Sequence, residues 1–166
     1  MSSGLKIIND KTLEFHPVPK EEIGLSMYCE GFTLNLNDIR VIALCPRLPL
    51  DDERLFILLV DKHRCSYPMP DSVLPSEEIK TIEKKFEIES IREVEWNKID
   101  YDEHYGFRTK VVYPQRLYGK RLYRKTFDNW DTFKKGLSRL IGVSHSTTGI
   151  YTDKIENELN TVANKS

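Results

Sequence analysis

Three sets of residues in this sequence have types and spacing that could do chemistry. His63 and Cys65 stand two residues apart, and Cys45 and Cys29 could complete four ligands for a soft metal such as zinc. The paired C-x-x-C spacing that makes a zinc site specific is missing, so turn and core roles are the expectation for these residues. His145 lies among hydroxyls in "VSHSTT" and His104 among carboxylates in "DYDEHYG", as a base beside a nucleophile would. Sequence neighbours on a loop seldom point at one another, and no G-x-S-x-G or H-E-x-x-H accompanies them. Asp71, with Glu78 and Lys80 two apart, is the acid, acid and lysine pattern that holds a divalent ion and activates water. Glu78 and Lys80 fall in a predicted helix, however, and residues two apart on a helix point about 200° from each other. No catalytic set is assembled, and neither a metal nor another cofactor is expected.

The eight glycines are scattered, with no G-x-x-x-x-G-K and no G-x-G-x-x-G, which excludes a standard phosphate loop. The formal net charge of -1 provides no global field to hold DNA, RNA or an anionic membrane, so any such contact must be local.

One stretch offers a local contact. "YPQRLYGKRLYRK", residues 113–125, spaces Tyr113, Tyr118 and Tyr123 at five-residue intervals among Arg116, Lys120, Arg121, Arg124 and Lys125, with no acid between them. Just before it, residues 87–103 carry seven acids against Arg92 and Lys98. Adjacent antiparallel strands would satisfy much of that charge across the ladder, at about 0.2–1 kcal/mol per pair. Left exposed, tyrosines and arginines make a strong protein-binding surface, because they offer large contacts at low entropic cost. Tyrosines stacking on bases beside phosphate-binding cations would suit single-stranded nucleic acid as well. The neighbouring acids weaken that use, since they lie within a Debye length of roughly 8 Å.

The elements that must position these residues are legible from periodicity. "LKII" and "TLEF" flank Asn9 and Asp10 as a hairpin. Phe32, Leu34 and Leu36 alternate, then Ile39, Val41 and Ala43 alternate with shifted parity, so a turn or bulge is expected at Asn37 and Asp38. "RLFILLVD" is apolar on both parities, as a central strand covered on both faces would be. Ile79, Ile82 and Phe86 predict an amphipathic helix between Pro75 and Ile88. "ESIREVEW", "FRTKVVYP" and "YGKRLYRKTF" read as three strands of a meander, the last an exposed edge through which two copies could pair. Trp130, Phe133, Leu137, Leu140 and Ile141 predict a helix at 128–141, and Ile155, Leu159 and Val162 a shorter one in the tail.

With 39% hydrophobic positions in 166 residues, one core is affordable. The expectation is an α+β fold: a single domain over 1–150, with 151–166 a C-terminal amphipathic helix or tail of the same domain. Its sheet should be mostly antiparallel and curved, packed by two or three helices, in one version a pleckstrin-homology-like roll. That version is an analogy of fold and carries no function. "LFILLV" is too short to span a bilayer, and charge within the first six residues argues against a secretory signal, which points to the cytoplasm. Three widely spaced cysteines suggest reduced thiols.

Adjacent acidic and basic blocks without a catalytic set fit a protein-binding module, whose charge provides specificity and fast association. A small intracellular inhibitor that neutralises a toxin or enzyme, of the immunity-protein kind, is the specific expectation. Asp100, Asp102, Glu103 and Tyr105 would enter a basic cleft, and Tyr118, Lys120, Arg121, Tyr123 and Arg124 would form the second contact. The alternatives are a nucleic-acid binder using 113–125 and a hydrolase or nuclease with an unrecognised site.

Overall fold

The computed structural model describes residues 4–16, 31–47, 54–71, 74–92, 109–123 and 151–163. Strands β1 (Gly4–Ile8) and β2 (Thr12–His16) form the expected hairpin, and both Asn9 (φ 52°) and Asp10 (φ 53°) take the left-handed backbone their short polar side chains tolerate. Pairing of Leu5 with Phe15 and Ile7 with Leu13 puts the apolar set on one face, and Lys6 opposite Glu14 on the other. A slip of one residue would exchange those faces. Strand β3 (Phe32–Asn35) adds to β2, with Leu34 opposite Leu13 and Phe32 opposite Phe15 at 5.4 Å between ring centroids.

The parity change after Leu36 is a step between sheets. Leu36–Asp38 forms one 3-10 turn, in which the Asn35 side chain accepts from the Asn37 amide at 2.9 Å. Strand β4 (Ile39–Arg47) then enters a four-stranded antiparallel sheet with β5 (Arg54–Asp61), β6 (Ser66–Pro70) and β7 (Lys110–Tyr113), in the order β6-β5-β4-β7. A bulge between Ile39 and Val41 corrects one expectation. The extra residue sends Ile39 to the face of Ile42 and Leu44, while Val41 and Ala43 take the opposite face. As its two apolar parities require, β5 lies inside the sheet with both faces covered: Ile57 and Leu59 on one side, Leu58 and Val60 on the other.

One core therefore lies between the two sheets. Helix α1 (Ser76–Phe86) closes it with Ile79 and Ile82, and Phe86 meets Tyr113 edge-on at 4.9 Å. Its end is a Schellman motif, with Ile88 donating to the Glu83 carbonyl at 2.9 Å and Glu87 (φ 53°) where glycine is usual. The expected strand "ESIREVEW" is corrected in its described part: Glu89–Arg92 bends under the helix instead. Ile91 is fully buried, its amide donates to the Glu83 carboxylate at 2.8 Å, and Arg92 bonds Asp71 at 2.7 Å, so these residues are committed to the helix and the loop before it rather than to a ladder. Residues 93–108 and the helix expected at 128–141 lie outside the described residues.

A second core covers the opposite face of the four-stranded sheet. Val41, Ala43, Leu58, Val60 and Val111 meet Leu117, Leu122 and Tyr151 there, together with Ile155 and Leu159 of helix α2 (Asp153–Ala163). Burying each of those helix side chains contributes about 1.5–3 kcal/mol, enough to dock an eleven-residue helix that would be marginal alone. The fold is thus α+β, built on two antiparallel sheets of three and four strands with two helices among the described residues.

Candidate protein-binding surface

In its described part, residues 113–123, the basic, tyrosine-rich stretch forms a closed tip and isolated bridges rather than a continuous strand. β7 ends at Tyr113, the Tyr113–Pro114 peptide is cis, and Gln115–Leu117 makes a single 3-10 turn. Leu117 turns inward to the second core, and Gly119 (φ 72°) reverses the chain. Five backbone bonds close this tip: Leu117 to the Pro114 carbonyl at 2.8 Å, Tyr118 to Gln115 at 3.1 Å, Lys120 to Leu117 at 3.0 Å, Gly119 to Val111 at 2.8 Å, and Val111 to Lys120 at 2.9 Å. The returning segment makes isolated bridges, Arg121 with Lys110 and Tyr123 with Tyr151. Leu122 donates to Thr109 at 3.0 Å on one side and accepts from Thr152 at 3.1 Å on the other. Residues 119–123 are therefore sandwiched between β7 and the start of α2. They are not the free edge proposed for pairing two copies, because the ladder groups of Leu122 already have partners.

The three tyrosines separate in the same way. Tyr113 packs on Phe86, and Tyr123 stacks on Tyr151 with centroids 5.6 Å apart and rings inclined by 16°. Tyr118 is 43% exposed and is the exposed large hydrophobic side chain among the described residues. Two residues on, Lys120 is exposed and has no ion-pair partner among the described residues. Arg116 bonds Glu158 of α2 through Nε at 2.8 Å and also through Nη2. That bonding raises the Arg116 pKa above its ordinary value. Arg121 is half-buried, and its carbonyl accepts from the Thr152 hydroxyl at 3.3 Å. Asp100, Asp102, Glu103, Tyr105 and Arg124 lie outside the described residues.

The turn between β5 and β6 explains the candidate metal ligands differently. Asp61 is only 3% exposed; its Oδ1 accepts from the backbone amides of His63 at 2.8 Å and Cys65 at 2.9 Å, and its Oδ2 from the Tyr67 hydroxyl at 3.0 Å. Burial first, then the Asp61 charge, pushes the Tyr67 hydroxyl well above its ordinary pKa. His63 is exposed, Cys65 is half-buried, and no group of three or more potential ligands occurs among the described residues. Cys29 lies outside them, and of Cys45 only the β4 backbone is described. Asp71 is engaged by Arg92, while Glu78 and the exposed Lys80 lie in α1, away from any assembled acid set. His104 and His145 lie outside the described residues.

Sequence reasoning missed the groups that hold α2 to the body. Arg64 (φ 68°) reaches Glu156 at 2.9 Å and Asn160 at 2.6 Å, and its carbonyl accepts from the Tyr151 hydroxyl at 2.9 Å. Burial, more than the nearby Tyr123, raises the Tyr151 hydroxyl well above its ordinary pKa. The signal available was the placement of Glu156 and Glu158 on either flank of the Ile155 and Leu159 stripe. No helix among the described residues is long and apolar enough to cross a membrane. Comparison of the chain with protein-family models, with curated proteins and with solved structures finds no match.

Proposed function

We propose that the protein is a non-catalytic protein-binding module that engages its partner through the tip carrying Tyr118. The observation behind this is an aromatic side chain left 43% exposed at the apex of a backbone closed by its own hydrogen bonds, with the exposed Arg116 and Lys120 two positions to either side in sequence. Tyrosine and arginine on a rigid support bind at low entropic cost and dominate protein interfaces. Base stacking along the stretch is disfavoured, because Tyr113 and Tyr123 already face other rings.

More finely, a small cytoplasmic inhibitor of the immunity-protein kind fits this surface, with Asp100, Asp102, Glu103 and Tyr105 as a second contact of opposite charge. The two sheets joined at Leu36–Asp38 are compatible with a pleckstrin-homology-like roll, which carries no function with it.

The test is retention of partners from lysate of the protein's own source, at moderate and high salt, with nucleic acid digested in one arm. A stoichiometric protein that survives digestion, and whose retention falls about tenfold or more with Tyr118→Ala, supports the proposal. Replacing Asp102 and Glu103 by lysine should weaken the same complex; if it does not, the acidic contact is withdrawn. Recovery of nucleic acid alone, lost as salt rises, would overturn the protein-binding reading.

A further inference from the structure

Helix α2 is held at both flanks by cations from the same end of the four-stranded sheet. β5 and β7 both run antiparallel to β4, so the turn after β5, which carries Arg64, and the tip after β7, which carries Arg116, emerge together. Glu156 and Glu158 are two positions apart, about 200° around the helix, so each meets one of these arginines while Ile155 and Leu159 face the sheet.

The two pairs differ in a way that matters for the tip. Arg64 and Glu156 are 42% and 30% exposed, an ordinary solvated pair. At the other flank Glu158 is only 10% exposed while Arg116 remains 64% exposed. A carboxylate so covered depends on its partner, because charge removed from water must be compensated by hydrogen bonds. The guanidinium presents Nε and Nη2 to that carboxylate, a planar fork of fixed orientation. Its Nη1 makes no bond to Glu158, and the side chain remains largely exposed.

We infer that Glu158 is the positioning residue of the tip: it holds Arg116, two residues before Tyr118 on the same tip, in a fixed orientation and so makes α2 part of the docking surface. This rests on the protein-binding reading of Tyr118. A partner carboxylate or main-chain carbonyl meeting Nη1 finds an arginine already ordered, which lowers the entropic cost of docking. By reciprocity, a partner held at the tip also holds α2 in place.

Amide hydrogen exchange on the full chain tests the positioning without a partner. Glu158→Ala should speed exchange at Gly119 and Lys120 about tenfold or more, the loss expected for a charge-assisted bond, with Glu158→Gln intermediate. Glu156→Ala should change those two amides by less than about twofold, and neither variant should alter the β4 and β5 amides. Unchanged tip exchange in Glu158→Ala, or equal effects of the two glutamate variants, would overturn the inference. In the partner-retention assay, Glu158→Ala should reduce binding as far as Arg116→Ala does, and the double variant no further. If Tyr118→Ala leaves retention intact, the docking reading fails, while the exchange result still decides whether Glu158 positions the tip.

Discussion

Replacing Asp61 by alanine tests how the turn that carries Arg64 is held. The buried carboxylate accepts two backbone amides, from His63 and Cys65, and the Tyr67 hydroxyl, all at 2.8–3.0 Å. Bonds to a charged acceptor are each worth about 1.5–3 kcal/mol when fully enclosed. The donors here are only part-buried and recover some of that from water, so a total loss of about 3 kcal/mol is expected. For a chain of this length that lowers Tm by about 6–12 °C. Asp61→Asn retains an oxygen for both amides but loses the charge and the acceptor for the Tyr67 hydroxyl, so a smaller loss of about 1–2 kcal/mol is expected from it. Urea unfolding followed by far-ultraviolet circular dichroism measures both variants, and the slope shows whether the two-state comparison holds. Because Arg64 anchors Glu156 and Asn160, proteolysis within α2 should accelerate in Asp61→Ala more than in Asp61→Asn. A loss below about 1 kcal/mol for Asp61→Ala, or equal losses for the two variants, would refute the hydrogen-bond account of this turn.

Leu159→Ala should cost about 2–5 kcal/mol in urea unfolding, since the side chain is buried between α2 and the sheet; a cost under about 1 kcal/mol would mean the helix does not dock as described. Gly119→Ala meets no atom within 4 Å, so its cost is the left-handed backbone alone, about 1–2 kcal/mol, and Gly119→Asn should cost less by the same assay. Tyr67 and Tyr151 both have hydroxyl pKa values raised in the fold above the ordinary 10.0. Above that pH the unfolded chain releases protons that the native chain keeps, so their contribution is complete below pH 10 and is lost as pH rises toward the folded values. Unfolding free energy measured between pH 9 and pH 11 should therefore fall once pH passes about 10, and less steeply in Tyr151→Phe; a flat profile would contradict the burial of these hydroxyls.

Local pattern was enough to determine the hairpin at Asn9 and Asp10, the two-sided burial of β5, helix α1, the short helix at the C-terminus and the break at Asn37 and Asp38. Each depends on residues a few positions apart, where backbone preference and apolar period agree. The break was legible as a change of parity, but its meaning was not. That the chain there leaves one sheet for another, and that a bulge puts Ile39 opposite Val41, depends on which strands pair. The stretch 113–123 shows the same limit more sharply, because three equally spaced tyrosines looked equivalent in sequence. Tertiary structure separated them by supplying Phe86 to Tyr113 and Tyr151 to Tyr123, rings 27 and 28 residues away in the chain, and by leaving Tyr118 in water. Arg116 likewise looked like one cation of a basic run until Glu158, 42 residues on, enclosed its Nε and Nη2. Composition and period report what a side chain can do, whereas its neighbours across the fold decide how much of that capacity remains for a partner.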